Sequence, residues 1–95
     1  MRRAAKVDRN QAEVVAILRQ AGATVYPSHA VGQGFPDLVV GYRKINYLME
    51  VKDGDKPPSG RKLTKDQIKF FDEWLGQVVK VETGEEALRA IGAIK

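Results

Sequence analysis

The sequence predicts an α/β domain, a mixed β-sheet flanked by helices, in the order α-β-β-β-α-β-α. Three observations carry this. Residues 37–51 alternate apolar and polar side chains with period 2 on both sides of a polar tip, "YRKIN", the pattern of a β-hairpin. Three helix-start signals are each followed by apolar residues at helical spacing. A short β-branched run, "QVVKVE", lies between the last two helices, and a sheet that alternates with helices buries its faces under them. With 95 residues the chain supports one core and is too short for two, so residues 1–95 are expected to form a single domain.

In chain order, Asp8 and Gln11 resemble a capping box, and Val14, Ile17, Leu18 and Ala21 then mark one face of a helix that ends at Gly22. "ATVYPSHA" places β-branched and aromatic residues around a proline, which predicts a short edge strand. "VGQGFP" is a glycine-punctuated loop, and the hairpin follows it. Residues 53–63, "DGDKPPSGRKL", read as a mobile basic loop. Thr64 with Gln67 forms a second capping box, opening a helix with Ile68, Phe71, Trp74 and Leu75 on its buried stripe and closing at Gly76. Thr83 with Glu86 forms a third, for a last helix through Ala87, Leu88 and Ile91 to Gly92.

Composition narrows the classes of function. Apolar residues make up 43% and charged residues 29%, ordinary for a globular protein, and with no cysteine there is neither a disulfide framework nor a thiol nucleophile. No apolar run is long enough to span a bilayer or to act as a signal peptide, so a cytoplasmic protein without a membrane partner is expected. The net charge of +4 is uneven: residues 1–65 carry 12 Lys/Arg against 6 Asp/Glu, while residues 66–95 carry 4 against 6. Such a regional excess suits a polyanion such as nucleic acid, and equally a solvated surface.

The hairpin raises the chemical question. If it folds symmetrically about the step from Arg43 to Lys44, strand residues pair where their numbers sum to 87. Leu38 then faces Met49, Val40 faces Tyr47 and Tyr42 faces Ile45, one continuous apolar face. The opposite face carries Asp37 across from Glu50, with Lys52 two residues on. Two carboxylates across a strand pair repel, at a cost of a few tenths to about 1 kcal/mol. Either a hard divalent cation such as Mg²⁺ or Mn²⁺ sits between them, or the strand ends fray and solvent screens the acids while Lys52 neutralises them.

Several further residues bear on the site. Glu13, on a helical line with Ala16 and Ile17, is directed toward the partly buried side, where an acid needs a partner; alternatively it pairs with Arg9. Gln67 starts the buried stripe of its helix and is in reach of the site, although the cap with Thr64 suffices to explain it. His29, the single histidine, is not assigned a role. The lysines and arginines Arg43, Lys44, Lys56, Arg61, Lys62 and Lys65 are candidate phosphate contacts, with residues 1–7 as a basic arm, or else solubility residues.

"PD", twelve residues, then "EVK" resembles the signature of the PD-(D/E)XK nuclease superfamily. "GFPD" in place of a bare Asp, an acid on the first helix and a Gln in the helix after the E-x-K strand are similar to the VRR-NUC family, the virus-type replication-repair nucleases. The resemblance runs from about Gln11 to the last strand and implies a restriction-endonuclease-like fold. It also implies metal-dependent endonucleolytic hydrolysis of DNA phosphodiester bonds. Asp37, Glu50 and the backbone carbonyl of Val51 would ligate Mg²⁺ or Mn²⁺, with Glu13 joining directly or through water. Lys52 would position the nucleophile or stabilise charge on the transferring phosphate, and Gln67 would support the constellation. Stand-alone members of this size further imply a homodimer that acts on branched DNA such as four-way (Holliday) junctions in repair, two sites cutting opposite strands in a bacterial or phage-infected cell. No small-molecule organic cofactor is implied. The alternatives are a monomeric nickase or flap endonuclease with the same site, and a non-catalytic DNA-binding module.

Overall fold

A computed structural model describes residues 9–95. Helix α1 (Gln11–Gln20) leads into strand β1 (Thr24–Pro27), a 3₁₀ turn (His29–Val31), strands β2 (Leu38–Tyr42) and β3 (Ile45–Val51), a one-turn helix α2 (Pro58–Arg61), helix α3 (Lys65–Glu73), strand β4 (Val78–Val81) and helix α4 (Gly84–Ala90). The four strands form one mixed sheet in the order β1-β2-β3-β4, antiparallel except for the parallel β3/β4 pair. The 3₁₀ turn and α2 are additions to the predicted order. α2 falls inside the stretch expected to be a loop, where Pro58 opens the helix at a position that needs no N–H donor.

The hairpin register is the one the apolar alternation requires: Leu38 pairs with Met49, Val40 with Tyr47 and Tyr42 with Ile45. Arg43 and Lys44 form the two-residue turn, both at positive φ (52° and 70°), the conformation whose twist matches the flanking strands. Neither residue is the glycine or asparagine that the conformation favours, and the hairpin's apolar face holds it in place. That face lies in the core: Leu38, Val40, Met49 and Val51 are fully buried with Val25 and Val81, against Val14 and Leu18 of α1 and Ala87 of α4.

The three predicted caps resolve differently. Thr64 and Gln67 form the full reciprocal box at the start of α3. Thr83 accepts from Glu86 N, while the Glu86 carboxylate accepts from Glu82 N rather than from the cap residue. For α1 the cap position belongs to Asn10, whose side chain makes no capping bond and reaches elsewhere; Asp8 lies outside the described residues.

The apolar stripe assigned to the core through α3 is not in it. No residue of α3 is buried, and the helix ends at Glu73, short of Gly76, because Trp74 is already extended (ψ 124°). Gln67 reaches Glu50, which alternation places on the sheet face opposite Met49 and Val51, so α3 begins over the face that α1 and α4 leave open.

Two glycines set close approaches. Gly34 is at φ 82°, and a Cβ there would run into the Asp66 carbonyl, so the loop before β2 rests on the first turn of α3. A Cβ on Gly84 would run into the Ile17 side chain, which makes this glycine the contact point of α1 and α4. Gly84→Ala is therefore expected to lower stability by about 1–3 kcal/mol through overpacking, outweighing the gain of up to about 1 kcal/mol in helix propensity. Ile17→Val in the same chain should recover part of the loss, as read from urea-denaturation midpoints.

Candidate functional site

The C-terminal end of β3 gathers charge out of water. Glu50 and Asp53 are 3% exposed and Lys52 8%, and Asp37, one residue before β2, is 8% exposed. Burying an ion costs several kcal/mol unless charge-assisted hydrogen bonds replace its water. The structure supplies them from three directions.

Asp37 sits just beyond the last ladder pair of the hairpin, and its Oδ2 accepts from Val51 N at 2.8 Å. The carboxylate thus caps the strand end that the register argument left open to fraying. Its own backbone carbonyl accepts from Ser28 N, and Ser28 Oγ donates to the Pro36 carbonyl at 2.8 Å, so the β1 side fixes the approach. Pro36 is fully buried, which locks the backbone immediately before the acid.

Glu50 is held by Gln67 and Lys52. Gln67 Nε2 donates to Glu50 Oε2 at 2.9 Å, and Lys52 Nζ lies 3.7 Å from the same oxygen. At its other end, Gln67 Oε1 accepts from Thr64 N at 2.8 Å. The two readings of Gln67, helix cap and site residue, are both realised because an amide has an acceptor at one end and donors at the other. Its orientation is also fixed. Turning the amide over would set oxygen against the carboxylate and N–H against N–H.

A third set of contacts ties α1 to the same strand end. Asn10 Nδ2 donates to the carbonyls of Lys52 (3.0 Å) and Glu82 (2.8 Å), the first residues after the parallel strands β3 and β4. Arg9 Nε meets Asp53 Oδ2 at 2.7 Å and its Nη2 meets Asp55 Oδ2 at 2.9 Å. Asp53 Oδ1 accepts from Asp55 N at 3.0 Å, a local turn bond of the kind that Asp makes with the backbone two residues on. Together these clamp the backbone that carries Lys52.

Glu13 is not directed to the buried side of α1. It is exposed on α1, and Gln11, Val14, Val15 and Leu18 form the helix's buried face instead. The alternative pairing with Arg9 is not formed either, since Arg9 turns to Asp53 and Asp55. Glu13 lines a concavity of about 210 Å³ with Asn10, Asp53 and Glu82. His29 is half-buried in the 3₁₀ turn, with Nδ1 enclosed and without a hydrogen bond.

The basic candidates divide into two sets. Arg43 and Lys44 occupy the hairpin tip, the length of β2 away from Asp37 or roughly 16 Å at the rise of an extended strand. Arg43 lies over the Tyr42 ring, 5.1 Å from its centroid. Lys56, Arg61, Lys62 and Lys65 follow β3 at the site's own end, all exposed except Arg61. Arg61 is engaged, 3.7 Å from Glu82, and its carbonyl accepts from Lys80 Nζ at 3.4 Å, so α2 is anchored to β4.

Asn10, Arg9 and Asp53 escaped the sequence reading. Asp53 did leave a signal, because "KDGD" is an Asp-initiated turn directly after a strand. The Asn10 and Arg9 contacts span 42 to 72 residues of sequence separation, and no local pattern reports them.

The chain matches no family model, and no curated protein and no solved structure is significantly similar to it. Among the described residues no group of three or more His, Asp or Glu side chains is clustered as a metal-binding set. No helix among them is long and apolar enough to cross a membrane.

The Asp55 N–H holds the Asp53 carboxyl below its ordinary value of 3.8; burial opposes this, and Arg9 and the charge of Lys56 add to the lowering. A carboxyl whose pKa is depressed by folding contributes stability that is complete above its unfolded value and is lost as pH falls through the folded one. Asp53→Asn should therefore be less stable than wild type near neutrality, with the gap in melting temperature narrowing as pH falls from about 5 to about 3. A pH-independent gap would mean that the charge contributes nothing.

Proposed function

We propose that the chain is a metal-dependent DNA endonuclease, with its site at the end of β3. One observation carries the reading: Asp37, Glu50 and Lys52, the residues that match "PD…EVK", are all nearly buried at one strand end. Their formal charges leave the group net negative, and a surface built only to attract DNA gains nothing from two buried acids.

The donor set fits a hard divalent cation. Two carboxylates and a backbone carbonyl are all oxygen, and Mg²⁺ is commonly held by one or two carboxylates while keeping water and substrate phosphate in its other positions. Asp37, Glu50 and the carbonyl of Val51 would hold it. Such an ion polarises a phosphate and lowers the pKa of bound water. Glu13 is exposed on α1 and lines a concavity with Asn10 and Asp53, and the resemblance adds it to this set directly or through water.

The chain's own residues do the rest. Gln67 fixes the rotamer of Glu50 through the 2.9 Å bond to Oε2, so this ligand is oriented before substrate arrives. Lys52 brings a cation to the same carboxylate, where it offers a donor to phosphate oxygen as negative charge builds. Asn10, bonded to the carbonyl of Lys52, holds that residue's backbone. Lys56, Lys62 and Lys65 supply exposed positive charge at the same end of the sheet, suited to phosphates flanking the cut.

By the same resemblance we read the functional unit as a homodimer acting on branched DNA, such as a four-way junction, within the cell. The test is cleavage of duplex, flap and four-way-junction DNA with and without Mg²⁺. Wild type is expected to cut only with the ion, favouring the junction. Glu50→Ala should abolish cleavage, and Lys52→Ala should slow it by about 100-fold or more without a matching loss of DNA binding. Wild type that binds DNA but never cuts it, or that cuts no faster than Glu50→Ala, would overturn the reading.

A further inference from the structure

A cavity of about 540 Å³ lies between α1 and the end of β1. Ala12, Val15 and Ala16 of α1 give it an apolar wall, and its polar lining among the described residues is Arg9, Gln11, Arg19 and His29, with no acid. An apolar surface with a few placed polar groups, at that size, is the make-up of a small-ligand pocket. The cavity starts at the candidate site's end of the sheet: Arg9 is bonded to Asp53, and Ser28, next to His29, donates its N–H to the Asp37 carbonyl. From there it follows α1 from Gln11 to Arg19, about 12 Å at the helical rise.

Two polar side chains of this lining lack partners. Gln11 is 8% exposed, and its Oε1 is enclosed without a hydrogen bond, as is Nδ1 of His29. A buried polar atom left unsatisfied costs stability, and a methionine would fill the place of Gln11 without that cost. The terminal torsion of a glutamine is soft, so the amide turns a donor or an acceptor to the cavity as a bound group requires. The cations set the charge of that group. Arg9 is matched by Asp53 and Asp55, whereas Arg19, exposed on α1, gives Nη2 to the Val25 carbonyl and keeps further N–H donors for an anion. A flat apolar wall, an imidazole, an amide for a base edge and a guanidinium for phosphate together suit an unpaired nucleotide.

We propose that this cavity takes an unpaired base of the bound DNA strand, with Gln11 and His29 on the base and Arg19 on a neighbouring phosphate. The proposal rests on the DNA reading above and adds the feature of the substrate that is recognised. A base leaves an intact duplex only at the cost of its stacking and pairing, and that cost is least where the strand is already unpaired. The cavity therefore favours DNA at a branch or a single-stranded end over continuous duplex.

His29 is the single histidine, so its ring signals in a nitrogen-15 magnetic resonance spectrum report on the cavity directly. The test is a titration of the full chain, with divalent metal chelated, using a single strand of five deoxyadenosines, an abasic strand of the same length and charge, and inorganic phosphate. Adenine is chosen because a glutamine amide pairs with its edge in bidentate fashion. The adenine strand should shift the His29 signals saturably, and the abasic strand should bind more weakly by about 10-fold or more. Gln11→Met and Ala12→Leu should each weaken binding of the adenine strand by about 10-fold. Ala12 is exposed, so the second substitution narrows the cavity without touching the core. An adenine strand that leaves the His29 signals unmoved overturns the proposal, as does equal binding of the two strands or an adenine strand indifferent to both substitutions. Inorganic phosphate that moves the signals as far as the adenine strand does so too, since it would assign the cavity to an anion alone. No metal is present and no cleavage is read, so the base pocket and the nuclease reading fail separately.

Discussion

The arrangement depends on holding the Glu50 side chain in one orientation almost wholly out of water. Its Oε2 lies 2.9 Å from the Gln67 amide and 3.7 Å from the Lys52 ammonium. Removing one partner from a buried ion pair typically costs about 3–5 kcal/mol, because the remaining charge stays behind undersolvated. Glu50 therefore commits several elements at once. Gln67 must be at the third position of α3, Thr64 must cap that helix to aim the amide, and Gly34 must lack a side chain for the first turn to come this close. A protein under selection for stability alone could fill such a place with apolar side chains at no loss. On the proposed reading the buried charge is retained to hold a metal ion next to a substrate phosphate.

The strand-end geometry follows from the parallel pairing of β3 with β4. The two strands end side by side, which lets the single amide of Asn10 reach the carbonyls of both Lys52 and Glu82. Arg9 then pins Asp53, the residue after Lys52. α1 thus does two jobs. Its Val14 and Leu18 fill the core on one sheet face, while the residues at its start brace the backbone of the site. The charged end of the hairpin is thus held from both faces of the sheet.

What was legible in the sequence was what has a local period or a local partner. The apolar alternation fixed the hairpin register, since a shift by one residue would turn Leu38, Val40, Met49 and Val51 to the polar face. The Thr64 and Gln67 cap was visible because its partners are three residues apart. Glu13 was misplaced for a physical reason. Its line runs through Ala16 and Ile17, but the more apolar face through Val14, Val15 and Leu18 takes the core and leaves Ile17 half-buried at its edge. The α3 stripe was misread because the helix ends at Glu73, so Trp74 and Leu75 lie beyond it and the spacing no longer places them on one face. Asp37 fell between: its neighbourhood with Glu50 was legible, but its bond to Val51 N needed the real end of the ladder.

The most direct measurement is a titration of Mn²⁺ into the DNA-free protein, followed by electron paramagnetic resonance, comparing wild type with Glu50→Gln. The substitution keeps the side chain's shape and its contact with Gln67 while removing the charge. The account predicts that wild type binds Mn²⁺, that Mg²⁺ displaces it, and that Glu50→Gln binds it far more weakly while remaining folded. Wild type that fails to bind the ion, or a Glu50→Gln variant that binds it equally well, would contradict the account.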